Sequence, residues 1–316
     1  MISFDFGNSR ISEGRLLEES EKLRREIKRL RKVLEDGYDS DYASLNLPKD
    51  PKLLKQVEKL IEDKKKLKPA MLVVIGIGGS NLGAMAIQQA VQGKNYNDRD
   101  PKLKIYFQDT VDEDSFHDIL QLTEKRLKDG QEVLINVVTK SGRTTETISL
   151  FELFAEMLKR HKKDYSKYIV ATTDKGSVLW DFAKKEDFDL LEIPEKVGGR
   201  YSVFSAAGLF PLGMLGIDIK KLRDGARAMI ESCTDLDISK NPAAKAALTL
   251  YLHRGRHIHD KFIFSNDLES VGKWYRQLMG ESIGKERDKD NKKVFAGMTP
   301  TVSIGSTDLH SMAQLY

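Results

Sequence analysis

Met71-Leu72-Val73-Val74-Ile75-Gly76-Ile77-Gly78-Gly79-Ser80-Asn81-Leu82-Gly83 decides the architecture. An uninterrupted apolar run from Met71 to Ile75, with no polar alternation, is the pattern of a short strand covered on both faces. A glycine-rich turn follows, and then a helical pattern through Ala84, Ile87 and Val91. The same rhythm recurs downstream. Residues 104–107, 133–138, 168–172 and 189–193 read as further strands, with helices at 116–128 and 148–160. Strands alternating with amphipathic helices predict right-handed βαβ units and a parallel sheet, hence an α/β fold.

Upstream, Leu23, Ile27, Leu30 and Leu34 are spaced 4, 3, 4 within the charged run 19–35. That spacing predicts a solvated helix whose one apolar stripe packs against the rest of the chain, with Asp36-Gly37 ending it. Residues 48–69, bounded by prolines, predict a second charged helix leading into the first strand. Beyond residue 216 the alternation restarts, with helices at 219–232, 243–254 and 271–279 and strands at 261–264 and 301–304. Met298-Thr299-Pro300 reads as a loop, and a helix-like segment begins near Asp308. The chain thus divides into a helical segment 1–70, a first α/β domain 71–216 and a second 217–316 whose sheet is incomplete at the C-terminus. His253-Arg254-Gly255-Arg256-His257-Ile258-His259 reads as a basic helix terminus, because no acidic or cysteine partner completes a metal site.

The 316 residues are 40% hydrophobic and 32% charged, which suits one large or two ordinary domains with a substantial core. Lys and Arg total 52 against 48 Asp and Glu, a net +4 too balanced to predict a polyanion such as nucleic acid as partner. The single Cys233 excludes an intrachain disulfide framework and a Cys-rich zinc site, and fits a reducing compartment. No apolar run reaches the roughly 18 residues of a membrane span. The segment from Met1 to Gly7 has neither the basic start nor the apolar centre of a signal peptide. The expectation is a soluble, cytoplasmic protein with no membrane partner.

Two turns invite an anion. Gly76 to Gly83 links a strand to a helix, where glycines permit close backbone approach and the helix start offers free N–H groups. It is not a dinucleotide loop, since Asn81 stands where the last glycine of G-x-G-x-x-G belongs. Nor is it a Walker loop, since Ala84 follows Gly83 where lysine is required. Thr139-Lys140-Ser141-Gly142-Arg143-Thr144-Thr145-Glu146-Thr147 again joins a strand to a helix and gathers five hydroxyls and two cations. A phosphomonoester needs several donors and a positive field. One helix cap accounts for one hydroxyl, not five. Two such turns at strand C-terminal ends of one parallel sheet converge on one crevice. The predicted ligand is a phosphorylated small molecule.

These two turns resemble the sugar isomerase (SIS) domain family. Val197-Gly198-Gly199-Arg200-Tyr201-Ser202, Gly280-Glu281-Ser282-Ile283-Gly284-Lys285 and Gly305-Ser306-Thr307-Asp308-Leu309-His310-Ser311 are similar, more narrowly, to motifs of the glucose-6-phosphate isomerase family. The motifs run in order through residues 72 to 315 and are together highly specific. The resemblance implies two SIS-type αβα sandwich domains with parallel sheets. It also implies reversible aldose–ketose isomerisation of glucose 6-phosphate and fructose 6-phosphate through a cis-enediol, in glycolysis and gluconeogenesis, with no cofactor and no metal.

The implied roles make chemical sense. Moving a proton between C1 and C2 requires a positioned carboxylate, and Glu281 matches the family's base. The enediolate needs a fixed cation, which Arg200 beside two glycines would supply. His310 matches the ring-opening histidine, a proton shuttle suited to neutral pH, and Glu146 the acid that orients it. Ser80, Thr139, Lys140, Ser141 and Thr144 match phosphate-binding positions, and Gly79, Gly199 and Gln277 substrate-contacting ones. The resemblance further implies a homodimer in which His310 reaches the neighbouring subunit's site. The family's catalytic lysine sits in a C-terminal helix beyond Tyr316, so the chain is expected to be a piece of a longer protein. Two alternatives stay open: a bifunctional phosphoglucose/phosphomannose isomerase, and a non-catalytic sugar-phosphate regulator that keeps the phosphate cradle without the base.

Overall fold

The computed structural model describes residues 2–315; Met1, where the stretch read for a signal peptide begins, and Tyr316 lie outside them. The N-terminal helix α1 spans Glu13–Val33 and starts before the predicted run because the Ser12 hydroxyl caps it, accepting from the Arg15 amide. Its stripe, with Leu16 and Ile27 buried, packs on Ile238, Ala244 and Leu248. Helix α2 (Pro51–Lys66) is capped by Asp50 and carries proline in its first turn, so Pro48 lies outside it in a preceding 3-10 turn.

Then come β1 (Met71–Ile75), α3 (Leu82–Gln92), β2 (Lys104–Gln108), α4 (Glu113–Lys128), β3 (Val133–Val138), α5 (Thr145–His161), β4 (Ile169–Asp174), α6 (Val178–Lys185) and β5 (Asp189–Ile193). The five strands are all parallel in the order β2-β1-β3-β4-β5. Side chains alternate across β1. Leu72 and Val74 join α2 and the fully buried helix α7 (Ala206–Met214) on one face. Met71, Val73 and Ile75 join the apolar sides of α4, α5 and α6 on the other. The sheet is therefore covered on both faces, as the unbroken apolar runs require.

Lys64, near the end of α2, is buried to 4% exposure, and its ammonium bonds both the Asp189 carboxylate at the start of β5 and the Lys167 carbonyl. Lys64→Met removes the donor and leaves both acceptors under-partnered. Because Asp189 keeps 42% of its side-chain exposure, the expected loss is about 2 kcal/mol, below the range for a fully buried pair. Urea denaturation of both proteins measures it.

The second unit comprises α8 (Ile219–Cys233), α9 (Pro242–Leu252), β6 (Ile258–Ile263), α10 (Glu269–Ile283), β7 (Lys285–Arg287), β8 (Lys293–Ala296) and β9 (Thr299–Ile304). Strands β6 and β9 pair in parallel, and α10 lies on them with Gly272 against Val302 and Ile263. Several expectations are corrected here. Thr299 and Pro300 are strand rather than loop: among the described residues β9 pairs only with β6, so it is an edge strand, and an edge position tolerates a residue without an amide proton. The segment after Asp308 is a 3-10 turn, Thr307–His310, rather than the start of a helix. The antiparallel hairpin β7–β8 was not foreseen, because its strands are exposed and charged. The basic histidine stretch is divided, since α9 stops at Leu252 and β6 begins at Ile258. His253 contacts the Ser9 carbonyl, whereas the His259 ring lies against Tyr275.

Candidate active site

Strand order places the site. From β1 the chain runs outward to β2, then returns to β3 on the other side, so the turns after β1 and β3 flank a topological switch point. The two strand ends come close at Gly76, where a Cβ would lie 2.8 Å from the Val138 carbonyl oxygen at the end of β3. Asn81, which breaks the dinucleotide pattern, is fully buried and donates its amide to the Gly76 carbonyl, closing the first turn from within. Sequence reasoning used Asn81 only to exclude a motif and missed this role.

The second turn is built differently. The hydroxyls of Thr139 and Thr144 are 3.1 Å apart, which joins the end of β3 to the residue preceding α5. The Arg143 amide donates to the Ser141 hydroxyl at 3.3 Å. The Lys140 carbonyl accepts from the Asp174 amide and the Thr173 hydroxyl, each at 3.1 Å, and the Lys140 ammonium reaches the Glu195 carbonyl at 2.6 Å. Burial pushes the Asp174 carboxyl up to about 6; nearby Lys140 opposes the shift, and Glu195 and Glu192 reinforce it. Its Oδ1 is buried without a hydrogen-bond partner among the described residues. Because the fold raises this carboxyl's affinity for a proton, the native state holds the extra proton from about pH 4 to about pH 6, and stability falls as pH rises through that window. Asp174→Asn is therefore expected to raise the melting temperature at pH 7.5. That gain should vanish as the pH falls from about 6 to about 4, which melting curves across the range would follow.

The third component is the loop after β5. A Cβ placed on Gly79 would lie 2.2 Å from the Gly199 carbonyl carbon and 2.4 Å from the Arg200 nitrogen, so the two glycine loops touch backbone to backbone. The Ser202 hydroxyl also donates to the Gly79 carbonyl at 3.3 Å. Gly78, at φ +58°, has the Gln277 amide over it, 2.8 Å from where a Cβ would stand. Gln277 and Glu281 are one turn apart on α10, and the Gln277 Nε2 donates to Glu281 Oε1 at 3.0 Å. Arg200 Nη1 donates to the other oxygen, Oε2, at 3.1 Å. Side-chain exposure of 25% for Arg200 and 50% for Glu281 leaves the pair accessible to a small molecule. The Arg200 carbonyl accepts from the Trp274 indole at 3.0 Å, and its Nε donates to the Ser282 hydroxyl at 3.1 Å.

Of the residues singled out in the sequence, the structure joins Gly79, Gly199, Arg200, Gln277 and Glu281 into one contact group, and sets Thr139, Lys140, Ser141 and Thr144 on the neighbouring strand end. Ser80 lies in the short 3-10 turn between β1 and α3. Glu146 and His310 are not brought together within the chain. Glu146 is exposed in the first turn of α5, His310 is exposed at the end of the turn after β9, and neither side chain forms a hydrogen bond among the described residues. The partners Tyr201, Trp274 and Ser282 were missed as site residues, although Tyr201 and Ser282 stand inside quoted motifs.

A parallel α/β sheet with a glycine-rich and a hydroxyl-rich turn at its switch point, and a carboxylate–guanidinium pair beside them, defines an open-sheet α/β protein whose crevice lies at the strand C-terminal ends. The phosphoglucose isomerase family matches over residues 60–316. The chain belongs to that family. It is 33% identical over its whole length to a glucose-6-phosphate isomerase of Carboxydothermus hydrogenoformans, of which it spans 70%. Over 78% of its length it is 39% identical to a glucose-6-phosphate isomerase of Methanocaldococcus jannaschii, of which it spans 56%. The crystal structure of a hypothetical protein from Thermus thermophilus superposes with a TM-score of 0.82 at 29% identity, covering 95% of this chain and 68% of that one. A glucose-6-phosphate isomerase from Chlamydia trachomatis gives 0.81 at 23% identity over 96% of this chain and 64% of its own, a likeness of fold. No described helix is long and apolar enough to cross a membrane.

Proposed function

We propose that the chain carries the chemistry of reversible isomerisation between glucose 6-phosphate and fructose 6-phosphate. The observation that carries this reading is the Glu281 carboxylate, held on one oxygen by Arg200 and on the other by Gln277, beside the packed backbones of Gly78–Gly79 and Gly199. In the open-chain aldose, Glu281 takes the proton from C2. The C–H electron pair forms the C1=C2 bond, and the carbonyl oxygen O1 becomes the hydroxyl of a cis-enediol by taking a proton from water, to which the C2 hydroxyl gives one back in the next step. The hydroxyl on C2 then loses its proton to become the ketone, and Glu281 returns a proton to C1. Atoms and charge balance, and both electrons come from the sugar itself. The Arg200 guanidinium offsets negative charge on the enediolate oxygens, where a fixed cation in a partly dehydrated site is most effective. Ser80, Thr139, Lys140, Ser141 and Thr144 hold the phosphate, and Gly79, Gly199 and Gln277 contact the sugar.

His310 opens the ring, with Glu146 orienting its imidazole. Since the two are apart within one chain, this reading takes His310 from the neighbouring subunit of a cytoplasmic homodimer. Mixing a Glu281→Gln chain with a His310→Ala chain tests the arrangement, because only a shared site lets two inactive chains recover activity together.

The reading itself is tested by incubating the chain with fructose 6-phosphate in deuterated water and following the sugar by NMR. Glucose 6-phosphate bearing solvent deuterium at C2 is the expected result. Absence of both product and exchange would overturn it. Mannose 6-phosphate turned over at an equal rate would instead select the bifunctional enzyme.

A further inference from the structure

We infer that the Ser282 hydroxyl, backed by Tyr201, is a positioning device that aims the Arg200 guanidinium, and that it governs the rate of proton transfer rather than the strength of sugar-phosphate binding. The inference rests on the isomerase reading above.

An arginine beside a half-exposed carboxylate is a weak restraint by itself. The pair is screened by water, and the long side chain gives up rotamer entropy if it is to stay in one place. Arg200 is held by more than that pair. Its carbonyl is fixed by Trp274, and its guanidinium lies 4.6 Å over the Tyr201 ring. Its Nε donates to Ser282 Oγ and its Nη1 to Glu281 Oε2, each at 3.1 Å. Ser282 and Glu281 are consecutive residues of α10, so the guanidinium grips the helix at two adjacent points and is fixed in plane as well as in position. The Tyr201 and Ser282 hydroxyls are 2.6 Å apart. Whichever of them donates, the serine oxygen keeps a lone pair for the Arg200 Nε proton. Neither hydroxyl is spent on capping α10, because both bonds of Ser282 go to side chains. The remaining nitrogen, Nη2, has no hydrogen-bond partner among the described residues. A guanidinium locked at Nε and Nη1 presents that free corner in one fixed direction, which is what a developing oxyanion needs and a ground-state sugar does not.

Three variants test this. Ser282→Ala is expected to lower kcat about 10-fold or more, with KM for fructose 6-phosphate changed less than about threefold. Ser282→Thr, which keeps the hydroxyl, should recover most of the loss. Tyr201→Phe keeps the ring and should fall between, and the double variant with Ser282→Ala should be no worse than Ser282→Ala alone, because both act through one guanidinium. The Nε proton of Arg200, followed by nitrogen-15 NMR, should be protected from exchange in the unsubstituted protein and in Ser282→Thr, and unprotected in Ser282→Ala. Unchanged kcat in Ser282→Ala, a loss that threonine does not rescue, or an effect confined to KM overturns the inference alone. A parent chain that neither isomerises nor binds fructose 6-phosphate overturns the isomerase reading and this inference with it.

Discussion

Replacing Glu281 with glutamine is expected to stop isomerisation while leaving sugar-phosphate binding in place. The substitution keeps shape and length but removes the only proton acceptor in the contact group formed by Gly79, Gly199, Arg200 and Gln277. Loss of a positioned general base costs on the order of 10² to 10⁴ in rate, and the upper part of that range applies because no second carboxylate hydrogen-bonds to Arg200 or Gln277 among the described residues. The site should accommodate the change without collapse. The new amide oxygen can still accept from Arg200 Nη1. The new amide nitrogen would face the Gln277 nitrogen, but Gln277 Oε1 is buried and has no partner among the described residues, so a flip of that side chain supplies an acceptor and restores the bond. Calorimetry should therefore find fructose 6-phosphate affinity within about threefold of the parent, while kcat and kcat/KM fall together, the signature of an interaction used in the transition state alone. A variant that retains more than about a tenth of the parent rate would remove Glu281 from the role of base.

What the sequence discloses, and what it hides, follows from where each signal is written. The strand runs at Met71–Ile75 and Val133–Val138 are legible because burial on both faces leaves no polar residue to blur them. The two strand-to-helix turns are legible because one gathers glycines where backbone approaches closely and the other gathers more hydroxyls than a single helix cap uses. Helix α7 is hidden for the opposite reason: every residue from Ala206 to Met214 is buried, so no polar face marks its period. Pro300 misleads because a residue that ends most strands is acceptable on an edge strand. Asn81 and Ser282 act through bonds to partners that only folding brings near, the Gly76 carbonyl in one case and a side chain 82 positions earlier in the other. Asp174 is hidden likewise, since its raised carboxyl depends on burial at the end of β4. For Glu146 and His310 the roles came from resemblance alone, and the fold of one chain leaves them apart.

A single added carbon at Gly79 is expected to cost both stability and turnover. In Gly79→Ala the methyl group would stand 2.2 Å from the Gly199 carbonyl carbon, 2.4 Å from the Arg200 nitrogen and 2.5 Å from the Gly199 oxygen. All three are backbone atoms, so no rotamer change relieves the clash and the loops must part by more than an ångström. Overpacking of this kind costs about 1–3 kcal/mol of stability. The functional loss should be larger, because the displaced atom belongs to Arg200 itself: a shift of about 1 Å at a positioned group costs roughly 10²-fold in rate. The reverse substitution separates this account from a general intolerance of the loop. A Cβ on Gly199 would meet only the Gly79 Cα, at 3.9 Å, an ordinary contact. Gly199→Ala should therefore stay within about 1 kcal/mol of the parent in stability. Gly216→Ala serves as a backbone control: it has nothing within 4 Å of its Cβ but a φ of +81°, so it should lose about 1 kcal/mol with no change in turnover. Urea denaturation and fructose 6-phosphate kinetics on the three variants decide the matter. Full activity in Gly79→Ala would mean that the two glycine loops do not touch, and that Arg200 is held against Glu281 by α10 alone.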